Sequence, residues 1–263
     1  MKFTSLLTAG ALATAMAAPL AIAASPSNTS DTMSAAQKKE IEKVIHDYLV
    51  NNPEVLLEAS QALQQKQQQA MQQQAQAAIK ENANQLFNDS LTVVGNPKGN
   101  VTLVEFFDYQ CIHCKKMASV ISDLIKKNNN LRVVYKEFPI FGKSSDMASR
   151  AALAAAMQGK YKEMHEALIK QDKRLNADIV MNTAKSLGLD MAKLKTDMES
   201  KTVTDALDAN RQLAEKLHLM GTPAFIIAAT PAGQLKEDTT PTFIPGAASE
   251  ESLQELIKKA ASN

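Results

Sequence analysis

An α/β fold is what this 263-residue sequence predicts: a sheet carrying an inserted helical domain, preceded by an α-helical N-terminal oligomerisation region. Three observations predict it. The segments VTLVEFF and LRVVYKEFPI read as strands and flank a helix-patterned stretch, which makes one strand–helix–strand unit of the parallel type. From Ser144 to Leu219 the apolar spacing is helical, with punctuation at Gly159, Asn176 and Gly188. Two further strands, PAFIIAA and PTFIPG, and an amphipathic ASEESLQELIKKAA close the chain.

At the N-terminus, Lys2 precedes an apolar stretch from Leu6 to Ala18 and the small-residue pattern Ala21-Ile22-Ala23. This is the plan of a secretory signal peptide over residues 1–23, too short in its apolar part for a membrane span. Cleavage is expected after Ala23, with Ala24 the neighbouring alternative. No cysteine lies near the cut, so a lipid anchor through an N-terminal cysteine is not expected, and the product reads as a soluble exported protein. Residues 24–33 are small and polar, a flexible leader.

Residues 34–88 form the predicted helical region. Ser34 and Gln37 fit a capping box, and Ile41, Val44, Ile45, Tyr48 and Leu49 repeat at helical spacing. Asn51 and Asn52 stop this helix. Asn52 is then placed to cap a second one, with Pro53 at its first position, running to about Phe87. Its centre, QALQQKQQQAMQQQAQ, is rich in glutamine. Leu56, Leu63, Ala70 and Ala77 stand seven apart, as in a coiled-coil seam, although Lys66 interrupts the second apolar position. A solvated spacer is one reading. Self-association through residues 34–88 is the other, because Ile41, Val44, Ile45 and Leu56 have too few apolar neighbours in the sequence to cover them.

Residues 89–263 carry the sheet. SLTVV is a short strand, GNPKGN a turn and VTLVEFF a buried strand. Met117, Val120, Ile121, Leu124 and Ile125 then mark a helix from Lys115 to Lys127. A strand–helix–strand unit, a helical block at about 144–219, a two-strand hairpin and a final helix together describe a thioredoxin-like sheet with a helical insertion.

Cys111 and Cys114 are the only cysteines, three apart at the junction of strand and helix. Bridged, they close almost no chain, so they add little to stability through loop entropy. Structural zinc needs four protein ligands, and Cys111, His113 and Cys114 are all the segment offers, so no metal site is expected within one chain. Copper(I) held by thiolates of two chains remains an alternative. A redox centre fits export, since disulfides persist outside the reducing cytosol, and the pair would be its own redox group with no cofactor. The net charge of +1 falls to zero when Lys2 leaves with the signal, which gives no basis for nucleic-acid binding.

The strand-to-helix junction places Cys111 where unpaired backbone N–H groups favour an anion. A thiolate there has a lowered pKa. Protonated His113 would add positive charge, with Lys115 and Lys116 contributing weakly. Cys111 is therefore expected as an exposed nucleophile and Cys114 as its shielded partner. Glu105 lies in the apolar strand before the pair. Burial would raise its pKa and suit it to relay a proton near Cys114; a partly exposed strand-end carboxylate is the alternative. Thr222-Pro223 precedes PAFIIAA, and a cis bond there would suit a close approach to the active site. His46, His165 and His218 read as surface or packing residues far from the cysteines. Met117 and Met147 read as core or groove residues.

The motifs VEFFDYQCIHC, GTPAF and FIPGA, with the helical insertion between them, resemble the DsbA-like thiol:disulfide oxidoreductases of the bacterial periplasm over residues 90–262. IHDYLVNNPEVLLEASQAL resembles the oligomeric subgroup that includes the copper-sensitivity suppressor ScsC and the Com outer-membrane-associated antigens. The resemblance implies a thioredoxin-like fold with Cys111 as nucleophile, Cys114 as resolving cysteine, Glu105 as buried acid, Pro223 as cis-proline and Thr222 as a substrate contact. It implies unfolded or misoxidised exported proteins as partners, a membrane redox partner, and a periplasmic or outer-membrane-associated location. The sequence departs from the archetypal oxidase in having Ile112-His113 where that enzyme has Pro-His. Threonine before the proline and an N-terminal multimerising extension are traits of isomerases, so oxidase and isomerase both stay open. A non-enzymatic adaptor using the helical arm is the remaining alternative.

Overall fold

The computed structural model describes residues 33–89 and 91–262. The predicted signal peptide, and the leader as far as residue 32, lie outside the described residues. The chain divides into two compact units at Ser60 and Gln61.

In the first unit, α1 (Ala35–Asn51) begins at the capping box read from the sequence. The Ser34 hydroxyl accepts from the Gln37 N–H at 3.3 Å, and the Gln37 side chain accepts from the Ser34 N–H at 2.8 Å. No residue of α1 is buried. The expected capping of the next helix by Asn52 is not what forms. Its side-chain amide donates back to the Tyr48 carbonyl at 2.9 Å, closing α1, and α2 starts at Glu54 rather than Pro53.

α2 (Glu54–Glu81) begins in the first unit and runs on into the second, where α3 (Ala83–Phe87) follows it. The single helix predicted to about Phe87 thus breaks at Asn82, whose amide donates to the Ala78 carbonyl at 2.8 Å and competes with the helical ladder. The sheet has the order β1-β3-β2-β4-β5, from β1 (Val93–Gly95), β2 (Val101–Phe107), β3 (Leu131–Glu137), β4 (Ala224–Ala229) and β5 (Thr242–Pro245). β2 and β3 pair in parallel across α4 (Ile112–Lys127), and the other pairings are antiparallel. Every residue of β2, β3 and β4 is buried, because both faces of the sheet are covered.

On one face, Leu103, Phe107, Val133 and Phe225 pack with Ile121 and Leu124 of α4 and with Leu253 and Ile257 of α10 (Glu250–Ser262). The insertion joins this face through α5 (Lys143–Ala156), α6 (Tyr161–Ile169), α7 (Ala177–Ser186) and α8 (Met191–Met198). On the other face, Val104, Phe106, Val134 and Ile226 meet Ala75 and Ile79 of α2, Leu86 and Phe87 of α3, and Leu213 of α9 (Lys201–Lys216). Each large apolar side chain so buried stabilises the fold by about 1.5–3 kcal/mol. The C-terminal half of the glutamine-rich helix is thus part of the core. The helical block breaks at Gly159, Asn176 and Gly188 as read from the sequence. It also breaks at Ser200, whose hydroxyl accepts from the Val203 N–H at 3.3 Å and caps α9.

Candidate active site

The central strand β2 delivers the chain into a turn, Asp108–Gln110, before α4. Asp108 is fully buried and organises this turn. Its Oδ1 accepts from the Gln110 N–H and the Ser145 hydroxyl, both at 2.7 Å. Its Oδ2 accepts from the N–H groups of Ile140 (2.7 Å) and Phe141 (3.0 Å). One carboxylate therefore joins the turn ahead of the cysteines to the loop after β3.

Cys111 is the N-cap of α4, with extended backbone angles and a sulfur that accepts from the Cys114 N–H at 3.4 Å. Both thiols are free. The helix starts at Ile112 rather than Lys115, so the pair spans its first turn. Hydrogen bonding from the Cys114 thiol, then from Thr222 and from the backbone N–H groups of Cys114 and His113, pulls the Cys111 thiol down to about 5 against the effect of burial. His113 contributes through its backbone; its side chain is exposed. Cys114 is shifted the other way, above the ordinary thiol range, by its bond to Cys111, by burial and by the charge of Glu105.

Cys111 is not the exposed thiol expected from the sequence. It is 3% exposed, against 2% for Cys114, and the prominent residue beside it is Ile112 at 63%. The loop before β4 closes over it. The Cys111 thiol lies 3.3 Å from the Thr222 carbonyl oxygen, to which the protonated form donates, and Thr222-Pro223 is a cis peptide. A spacing of over a hundred residues is brought to van der Waals range by β4, which pairs antiparallel with β2.

Glu105, at 3% exposed, is buried rather than at a solvated strand end. Burial, then the charges of Cys111 and Glu137, raise it well above the carboxylate range. Its Oε1 has no hydrogen-bond partner among the described residues.

Three polar residues near the pair escaped the sequence reading, Asp108, Tyr109 and Glu137, and a fourth, His165, expected far from the cysteines, lies beside Tyr109. The Tyr109 hydroxyl donates to Glu137 Oε1 at 2.9 Å and lies 3.2 Å from His165 Nδ1. Burial holds His165 down at about 3 and pushes Glu137 up to about 8. His165 is a packing residue, as expected, and stacks on Tyr135 at 4.0 Å. It is nevertheless linked by one hydroxyl to the residue two before Cys111. The signal available in the sequence was a carboxylate, Glu137, at the end of a predicted strand and followed by the apolar Phe138-Pro139-Ile140. Met117 is in the core and Met147 packs against it. Among the described residues no group of three or more His, Cys, Asp or Glu side chains is placed to hold a metal ion.

Comparison with known proteins agrees with this geometry. The model of the DSBA-like thioredoxin domain matches residues 102–258, and that of the copper resistance protein ScsC N-terminal domain matches residues 37–70. A thioredoxin-like oxidoreductase from Silicibacter pomeroyi is 39% identical with a TM-score of 0.61, covering 68% of this chain and 98% of its own. BcfH from Salmonella enterica Typhimurium is 33% identical with a TM-score of 0.72, covering 86% of this chain and 96% of its own. The thiol:disulfide interchange protein DsbA of Bordetella parapertussis is 29% identical over 153 residues, 56% of this chain and 72% of that protein. The chain spans only 21% of the length of other curated relatives, Na(+)/H(+) antiporters such as one from Salinispora tropica. With more than half of its length matched by one family model, the chain belongs to the DSBA-like thioredoxin family, and its N-terminal region is of the ScsC type.

Proposed function

We propose that the protein is a thiol:disulfide oxidoreductase that forms or reshuffles disulfide bonds in exported proteins of the periplasm. The carrying observation is the Cys111 thiol, held near pKa 5 at the head of α4 and bonded to Cys114. A thiolate that stable makes the Cys111–Cys114 disulfide easy to reduce and hence oxidising.

In the forward direction a substrate thiolate attacks Cys111 Sγ and breaks the bond to Cys114. Cys114 leaves as a thiolate that its surroundings disfavour, and Glu105, protonated by burial, supplies the proton. A second substrate thiolate attacks the substrate sulfur of the mixed disulfide, releasing Cys111 as a thiolate and the substrate as a disulfide. The dithiol protein then holds two electrons, which a membrane redox partner must remove. In isomerisation the Cys111 thiolate attacks a wrong substrate bond and Cys114 resolves a trapped mixed disulfide. Ile112, Ile140, Phe141 and Met220 are all large apolar side chains left exposed on the segments that frame Cys111. They offer a surface for unfolded substrates.

Scrambled-ribonuclease refolding and insulin reduction test this reading. Activity in the wild type and none in Cys111→Ser is expected; equal activity in both would overturn it. A copper(I) role is favoured by the ScsC-type N-terminal match and by two adjacent sulfurs, a ligand type copper(I) prefers. Copper stoichiometry of the reduced protein, compared with that of Cys111→Ser, separates it from redox exchange.

A further inference from the structure

Glu137 ends β3 on the sheet face that carries Glu105. Glu105 pairs with Tyr135 across β2 and β3, and Glu137 follows two residues later, so both carboxyls project to the same side. Glu137 is fully buried. Its Oε1 accepts two hydroxyl bonds, from Tyr109 and from Tyr161 of α6, each at 2.9 Å, while its Oε2 has no partner among the described residues. Such a carboxyl is built for neither extreme: burial disfavours the anion, while the nearby Ser149 hydroxyl and the two tyrosine hydroxyls favour it. Tyr109 then leads directly into the turn bearing Cys111.

We propose that Glu137 is a second buried acid of the thiol site, a positioning residue whose proton is linked to the redox state of the cysteines across Tyr109 and Glu105. This deepens the exchange reading and rests on the pair cycling between disulfide and dithiol. Two substrate thiols supply two electrons and two protons. One proton replaces the one that Glu105 gives to Cys114. The second, which the Cys111 thiolate does not keep, passes in part to Glu137 instead of to solvent.

The groups facing Glu137 are few. The turn presents Asp108 and Tyr109, β2 presents Glu105, β3 presents Tyr135, and α6 presents Tyr161 and His165. Burial keeps His165 neutral at working pH; Lys170 acts on His165 and Glu166 on Tyr135, and neither is among the groups that shift Glu137. Ser149 of α5 and Asn210 of α9 are uncharged. The neighbour that can change charge with the chemistry is therefore Glu105, on which the charges of both Cys111 and Glu137 act. Glu137 is held near 8, so its charge changes in the range where exchange runs.

Linkage is reciprocal: if the Cys111 thiolate raises the proton affinity of Glu137, ionised Glu137 must disfavour the thiolate form equally. Carboxyl-carbon NMR of the full chain, oxidised with diamide and reduced with a phosphine, reads the first half without any protein substrate. The Glu137 midpoint is expected higher in the dithiol form by about 0.7 pH unit or more, the fivefold lower end of typical coupling. Equal midpoints in the two forms would overturn the proposal even if exchange is active. The glutathione exchange constant of Glu137→Gln reads the second half. It should equal that of the wild type at pH 6 and make the variant about fivefold more oxidising at pH 9. A ratio that does not change with pH overturns the proposal and leaves Glu137 a structural hydrogen-bond acceptor. Should the variant fail to fold, the wild-type titration decides alone.

Discussion

In α1, Ile41, Val44, Ile45 and Tyr48 are 43%, 60%, 53% and 55% exposed, and no residue of the helix is buried. In β2, all seven residues from Val101 to Phe107 are buried, a glutamate among them. The two regions are comparably apolar in their spacing yet end up in opposite surroundings. In the second unit, burial shapes the chemistry: it raises Glu105 and Glu137, it adds to the hydrogen bond with Cys111 that raises Cys114, and it leaves Cys111 dependent on a few hydrogen bonds. In the first, the apolar side chains of α1 are exposed along a capped helix, the surplus from which the sequence reading expects self-association. Chemistry and assembly are thus expected to separate by mutation.

The strongest test of that separation is the thiol pair itself. Cys111→Ser should abolish exchange, and Cys114→Ser should accumulate mixed disulfides with substrate, read by non-reducing electrophoresis; equal trapping in both variants would contradict the assigned roles. Next, protein beginning at Gln61 should lose the oligomeric mass of the full chain in sedimentation while still reducing a small disulfide. An unchanged mass would end the self-association reading. Asp108→Ala leaves the buried Ser145 hydroxyl and the half-buried N–H groups of Gln110, Ile140 and Phe141 without their acceptor. It should cost about 3 kcal/mol in denaturant unfolding, with no effect on assembly.

The smallest effect, taken per pH unit, is electrostatic. A Cys111 thiol lowered from 9.0 to about 5 stabilises the folded dithiol form fully above pH 9. That contribution declines as pH falls from 9 and is gone below about 5. The stability difference between reduced wild type and Cys111→Ser should therefore rise with pH across this window, by no more than about 1.4 kcal/mol per pH unit. Glu137 has the opposite sign, since a raised carboxyl stabilises at low pH and the gain is lost between 4.5 and about 8. It is present in both proteins, so only its coupling to the Cys111 thiolate enters the difference. A flat difference would mean that Cys111 is an ordinary thiol.

Local patterns in the chain were enough to determine the Ser34–Gln37 cap, the strand–helix–strand order, the place of the cysteines at a helix start, and Thr222-Pro223 as a residue pair of interest. Each depends on neighbours within a few positions, where propensity and period act directly. Tertiary structure alone decided that Cys111 is covered, because the Thr222 carbonyl reaches it from a strand over a hundred residues away. It alone decided that Glu105 is buried, that Ala75 and Ile79 of the glutamine-rich helix pack on the sheet, and that Glu137, Tyr109 and His165 form one network. Those outcomes follow from which faces meet when the sheet closes, and a buried polar atom finds its partner in space rather than along the chain.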